Sequence, residues 1–275
     1  MIFSSWRAGV LVVFCLLAVP ALAQPPALVL AVNEGVSYRV GSEEIRARYA
    51  AIATDLAALL GQAVRVEPVG DYTSLRKGLA AKTYDLAWVH PAHISMVAMQ
   101  KSAYRLVVVT KGYQDYSARF LVRGDSPLKS LADLSGRRLA VPDEDSITAW
   151  MVRATLRDAL GDPSKLIITY TRYQDAVPFM VSNGFTQAGA TASNALVKQW
   201  QAGGGRVLVQ SRPVPIKHII ASPALTEAQL QRLRTYFVEL DTTAAGRSKL
   251  EALQVQGYAV YDAAALLALG AWLGL

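Results

Sequence analysis

The chain has 275 residues, 28 Lys and Arg, 21 Asp and Glu, a formal charge of +7 and one cysteine, Cys15, so disulfide staples are excluded and a sizeable buried core must carry the fold. That length leaves room for two lobes. The basic surplus biases the molecule toward anionic partners, but Lys and Arg are scattered and no basic stripe carries interleaved aromatics, so no nucleic acid is expected.

The first element is an export signal. Arg7 precedes an uncharged run from Ala8 to Ala18, and Pro20-Ala21-Leu22-Ala23 supplies the small residues before a cut after Ala23. An uncleaved anchor would want about 20 apolar residues and no such exit. Cys15 follows Val12-Val13-Phe14 rather than a small residue, a poor lipid-attachment signal, so the processed chain has no cysteine.

Beyond residue 27, short β-rich runs alternate with helical periods. Residues 28–32 form a strand, and Ile45, Tyr49, Ile52, Leu56, Leu59 and Leu60 mark one face of a helix that Gly61 stops. A strand at 64–66, a helix at 72–81, a strand at 85–89 and a helix at 94–102 follow, the alternation of a parallel α/β sheet with covered faces. Strands at 104–110 and 118–122 lead to the turn-rich Arg123-Gly124-Asp125-Ser126-Pro127, a hinge or lobe boundary.

A second block repeats the pattern, with a short helix at 131–134, a strand at 138–141 and a helix from about Ile147 to Leu160. Then come a strand at 166–168, a helix at 175–182, a strand at 187–190, a helix at 195–201 and a strand at 206–209. Arg212-Pro213-Val214-Pro215 makes a second break, so one block is bracketed as an inserted lobe. The expected organisation is a signal at 1–23, a first lobe at 27–121, a second lobe at 122–212 and a return to the first at 213–275. Helices at 227–240 and 242–253 and an apolar tail helix from Ala263 complete it; the tail is too short to span a bilayer.

At Tyr84-Asp85-Leu86-Ala87-Trp88-Val89-His90-Pro91-Ala92 the sequence resembles the phosphate/phosphite/phosphonate-binding proteins of bacterial ABC importers, which place such a stretch at the end of a first-lobe strand. The likeness continues through Tyr116-Ser117, Val122-Arg123-Gly124-Asp125-Ser126-Pro127-Leu128, Leu131-Ala132-Asp133-Leu134-Ser135-Gly136-Arg137-Arg138 and Asp145-Ser146-Ile147-Thr148. It implies a type II periplasmic binding fold, α/β in class, with two lobes of mostly parallel sheet flanked by helices and joined by a two-strand hinge. It also implies a small anionic ligand in the cleft, a permease and an ATPase supplied by other chains, a periplasmic location, a monomer and no cofactor. The ligand-binding residues it points to are Tyr72, His90, Tyr116, Ser117, Ser146, Thr148 and Gln174.

The departures from that family concern the same residues. His90 stands where the family has Gly before Pro91, His93-Ile94 replace an aromatic, and Ile147 removes one hydroxyl of a Ser-Thr-Ser cluster. The family's second-lobe His falls on Gln174. Its acidic residues facing a ligand ammonium fall near Gln187 and Thr191-Ala192, so an aminoalkylphosphonate would lose its counter-ion here.

Ser146 and Thr148 open a helix, where free N–H groups and the dipole favour an anion, although plain capping needs no ligand. Asp143, Glu144 and Asp145 oppose an anion there unless they point away. Tyr72 either hydrogen-bonds a ligand or packs on the strand edge. His90 and His93 lack a third partner at metal-binding spacing, so no metal is expected, and Lys217 and His218 either supply positive charge or lie on the surface, the reading taken being the surface. No Gly-x-Ser-x-Gly, His-Glu-x-x-His or Gly-rich phosphate loop is present, and no catalytic residue is assigned. Some chains of this fold are enzymes of cofactor biosynthesis, so the alternatives are a periplasmic enzyme or a ligand-sensing module for a membrane receptor.

Overall fold

The computed structural model describes residues 25–35, 41–161 and 166–275, and the expected export signal lies outside them. The first sheet begins with β1 (Leu28–Asn33), whose six residues are all buried because helices cover both faces. Its even positions pack with Tyr49 and Leu56 of α1 (Ser42–Leu60), and its odd positions with Leu75 and Leu79 of α2 (Tyr72–Ala80). Leu56, Leu75 and Leu79 are at most 1% exposed, and complete burial of each is worth about 1.5–3 kcal/mol. Gly61 ends α1 in the left-handed conformation at φ 70, and Asp71 caps α2 by accepting from Ser74 N.

β1 lies parallel to β2 (Val64–Pro68) and β3 (Leu86–Val89). After α3 (Ala92–Ser102), β4 (Arg105–Thr110) is the last strand before the chain leaves this sheet. In the second sheet β5 (Arg119–Val122) runs antiparallel to β8 (Ala188–Thr191) and β9 (Arg206–Gln210), whereas β6 (Arg138–Val141) is parallel to β7 (Ile167–Tyr170) and β8. Helices α4 (Ile147–Leu160), α5 (Ala176–Ser182) and α6 (Asn194–Ala202) connect them.

The chain then returns as β10 (His218–Ala221), antiparallel between β3 and β4, and continues through α7 (Glu227–Glu239), α8 (Ala244–Ala252), β11 (Tyr258–Ala259) and α9 (Ala263–Leu273). The strand orders are β11-β4-β10-β3-β1-β2 and β7-β6-β8-β5-β9. The fold is the expected two-sheet α/β arrangement, with both sheets mixed because the crossing strands pair antiparallel.

Three expectations are corrected. β10 is a buried central strand absent from the sequence reading, since it opens on His218 directly after Lys217 and two prolines, which disguises so short a run. Lys217 and His218 are accordingly 8% and 0% exposed rather than on the surface. The chain changes sheet between Thr110 and Arg119, so β5 belongs wholly to the second sheet, the division at 121/122 cuts through it, and the Arg123–Pro127 break is a loop beyond it.

Residues 111–118 and 211–217 form the two crossings side by side. Ser211 N donates to Ala118 O at 2.8 Å, Val214 N to Tyr116 O at 2.9 Å and Ile216 N to Tyr113 O at 3.1 Å. Among the described residues no helix is long and apolar enough to cross a membrane.

Candidate functional site

The carboxyl ends of β6, β7 and β8 face the start of α2 across a cleft of about 770 Å³, the place where open α/β sheets bind ligands. Tyr72 lines it from the first half; Ser146, Arg172, Gln174 and Ser193 line it from the second.

Helices α4 and α6 start on this cleft with serine caps. Ser146 caps α4 by accepting from Ala149 N at 3.1 Å, and Ser193 caps α6 by accepting from Leu196 N at 3.4 Å. Each oxygen acts as acceptor toward the helix and keeps its O–H for donation, beside backbone N–H groups that have no intrahelical partner.

Gln174 is held in one orientation. Its amide oxygen accepts from Ala192 N and from Thr191 Oγ1, both at 2.8 Å, and Nε2 donates to the Tyr116 hydroxyl at 3.1 Å. A backbone N–H can only donate, which fixes which end of the amide is oxygen. With both lone pairs of Oε1 engaged, Gln174 offers donors, and Tyr116, as acceptor from Gln174, retains its own proton.

Two of the nearby carboxylates have partners of their own. Asp143 accepts from Asp145 N at 2.9 Å. Asp145 accepts from Arg76 Nη2 at 2.6 Å and lies 3.3 Å from His93 Nε2, so it points to α2 and α3 rather than along α4. Burial opposes its ionisation, but His93 and Arg76 outweigh that and hold its carboxyl well below the usual range. This ion pair bridges the two halves.

His93, 2% exposed, sits between Tyr72 and Trp150 with ring centroids 6.4 and 5.7 Å away. Burial lowers its pKa, partly offset by Asp145. Its Nδ1 and the Trp150 Nε1 are both buried without a partner among the described residues, which costs about 1–3 kcal/mol per group.

Of the residues singled out from sequence, Tyr72, Ser146 and Gln174 line the cleft and Tyr116 joins them through Gln174. Thr148 lies in the first turn of α4 and is 1% exposed. Ser117 is buried, its hydroxyl 3.3 Å from Asp115 O. His90 is tied to the second crossing through Ile216 O at 3.2 Å and abuts Gly35, where a Cβ would come within 2.6 Å of its ring. Burial pushes the His90 pKa down to about 4.

Arg76 and Trp150 were missed, because they come from separate elements and carry no motif, and Lys217 was read as a surface residue. Lys217 Nζ lies 3.8 Å from the Tyr113 ring centroid and 5.4 Å from that of Trp88. Burial pushes its pKa down to about 8, with Glu34 acting the other way. Ser95 Oγ and His218 Nδ1 lie 2.6 Å apart, a nucleophile-and-base pairing in type, but both are fully buried and His218 Nε2 faces Pro215 O at 3.1 Å. No substrate reaches that pair. Among the described residues no three His, Cys, Asp or Glu cluster in a way that could hold a metal.

Residues 35–266 match the family model of periplasmic substrate-binding proteins of phosphonate ABC transporters. No curated protein matches the chain. Among solved structures, PhnD1 of Prochlorococcus marinus in complex with methylphosphonate is similar with a TM-score of 0.63 at 14% identity, over 90% of this chain and 96% of that one. A Xanthomonas citri protein bound to ATP is similar with a TM-score of 0.71 at 17% identity, over 90% and 97%. A binding protein component of an ABC phosphonate transporter from Pseudomonas aeruginosa has a TM-score of 0.55 at 16% identity, over 90% and 85%. At such identities the likeness to these structures is one of fold.

Proposed function

The chain belongs to the periplasmic substrate-binding proteins of phosphonate-type ABC transporters, and on that premise we propose that it captures a small oxyanion, such as phosphate, phosphite or a phosphonate without an ammonium group, in the cleft between its two sheets. It is exported with a cut after Ala23 and passes its ligand to a permease driven by an ATPase, both on other chains. The two sheets act as lobes that close about residues 111–118 and 211–217.

The observation that carries the ligand class is the hydrogen-bond polarity of the cleft. Gln174 has both acceptor lone pairs of Oε1 occupied, Ser146, Ser193 and Tyr116 each already accept one protein hydrogen bond, and all four keep N–H or O–H groups to donate. Donors at helix starts suit a ligand made of acceptors. Asp143, Asp175 and Arg172 also line the cleft, and Asp145 is paired with Arg76.

A thermal-shift panel tests the reading. Phosphate, phosphite or methylphosphonate at a hundred times its dissociation constant should stabilise the fold by about 2.7 kcal/mol. Stabilisation by none of the oxyanions, with a response to a cationic or uncharged solute, would overturn it. The panel includes ATP, because a cleft of about 770 Å³ has room for more than a bare oxyanion and the similar Xanthomonas citri protein is bound to ATP.

A further inference from the structure

The edge of the second sheet opposite the cleft gathers another set of donors. β5 ends there and β6 and β8 begin there, because β5 is antiparallel to β8 and β6 parallel to it. Arg123 and Ser126 follow β5, Arg137 precedes β6, and Thr186 and Gln187 precede β8; together they line a cavity of about 220 Å³.

Arg123 Nε donates to Asp125 at 3.1 Å and Arg137 Nε to Asp133 O at 2.8 Å, and the outer nitrogens of both guanidiniums make no further hydrogen bond among the described residues. Ser126 Oγ accepts from Leu128 N at 3.3 Å, which leaves its proton to donate. Gln187 Oε1 accepts from Arg138 N at 2.9 Å, which makes Nε2 its other, donating end. Thr186 is 2% exposed and its hydroxyl is buried without a partner among the described residues.

The two carboxylates nearby are engaged. Asp125 is on Arg123, and Asp133 accepts from Lys129 N, Ser130 N and Ser130 Oγ. We infer that this cavity is a second oxyanion site, taking a phosphate-type group between Arg123 and Arg137 with Ser126, Thr186 and Gln187 as hydrogen-bond donors. Guanidiniums bind such groups through paired N–H donors. Phe185, which precedes Thr186 in the chain, and Phe179 are 52% and 59% exposed with ring centroids 6.1 Å apart. Two sources therefore share the chemistry, free phosphate and the headgroup of an anionic lipid.

Equilibrium dialysis of inorganic phosphate against the wild type and an R123Q/R137Q variant tests this. The variant should bind one anion fewer per chain, or bind it at least tenfold more weakly; equal number and affinity would overturn the proposal. Should the variant not fold, wild-type crystals soaked in selenate decide it through anomalous scattering. A peak between Arg123 and Arg137 supports the site, whereas peaks confined to the cleft, or none, overturn it. Flotation with phosphatidylglycerol and with phosphatidylcholine vesicles separates the sources. Retention on phosphatidylglycerol alone that R123Q/R137Q abolishes assigns a lipid headgroup, and no retention together with a lost phosphate equivalent assigns the free anion.

Discussion

Gln174 decides the polarity of the cleft, because Thr191 and Ala192 occupy its oxygen and turn its nitrogen outward. Gln174→Glu keeps both of those acceptor roles, removes the donor and adds a negative charge. A hydrogen bond to a charged group is worth about 1.5–3 kcal/mol, so calorimetry should show oxyanion affinity reduced about tenfold to a hundredfold or more. Unchanged affinity would take Gln174 out of the site. Sequence reading reached this residue only through the family resemblance; its fixed orientation depends on Thr191, Ala192 and Tyr116, which lie at scattered positions in the chain.

Fully buried His218 and partly buried His90 give the molecule a defined acid response. Burial pushes His218 down to about 3 and His90 down to about 4, so both are neutral in the folded state, while the unfolded chain takes up protons once the pH falls below about 6.5. Their contribution to stability is complete above that value and is lost progressively as the pH falls toward 4, by up to about 1.4 kcal/mol per pH unit for each. Urea midpoints at pH 7 and pH 5 should therefore differ, with the lower midpoint at pH 5. A profile flat across that window would contradict the buried neutral state. The surface reading of His218 failed because a Lys-His pair after two prolines gives no sign of a central strand.

At the level of elements, the start of α4 is shared between the halves. Arg76 on α2 holds Asp145 away from the helix start. Arg76→Gln releases that carboxylate beside the incoming anion and breaks the bridge, and both effects lower affinity. The pair is about two-fifths exposed on each side, so the bridge itself is worth at most about 1 kcal/mol, and a loss of about twofold to tenfold is expected by titration. Asp145→Asn in the same background should recover part of it; no change in either variant would deny the bridge a role.

Most elements were readable from periodicity and punctuation, as with α1 between its apolar stripe and Gly61, or α4 after Ser146. β11 was not, because two residues carry no pattern, nor was β10, which follows Lys217 and two prolines and is a strand only through β3 and β4 on either side. The change of sheet was misplaced because Gly-Asp-Ser-Pro at 124–127 makes a strong turn, while residues 111–118 are held by hydrogen bonds to a segment about 100 residues later.

For the whole molecule, the two crossings and α9 join the halves. Trp272 of α9 donates to Asp158 of α4 at 2.8 Å, and Gly270 of the same helix sits against Met96 and Gln100 of α3, so α9 touches both halves behind the crossings. Closure about residues 111–118 and 211–217 should narrow the cleft mouth while these contacts persist. Small-angle scattering should show a smaller radius of gyration with saturating ligand, and an unchanged profile would count against a closing cleft.

The most direct measurement of the central claim is calorimetry at pH 7 comparing methylphosphonate with 2-aminoethylphosphonate, which share the oxyanion and differ by an ammonium-bearing arm. A cleft that presents donors from Ser146, Ser193 and Gln174 beside Arg172 should bind methylphosphonate, and the amino compound at least about tenfold more weakly, because its ammonium meets donors and a cation. Equal or tighter binding of 2-aminoethylphosphonate would contradict it.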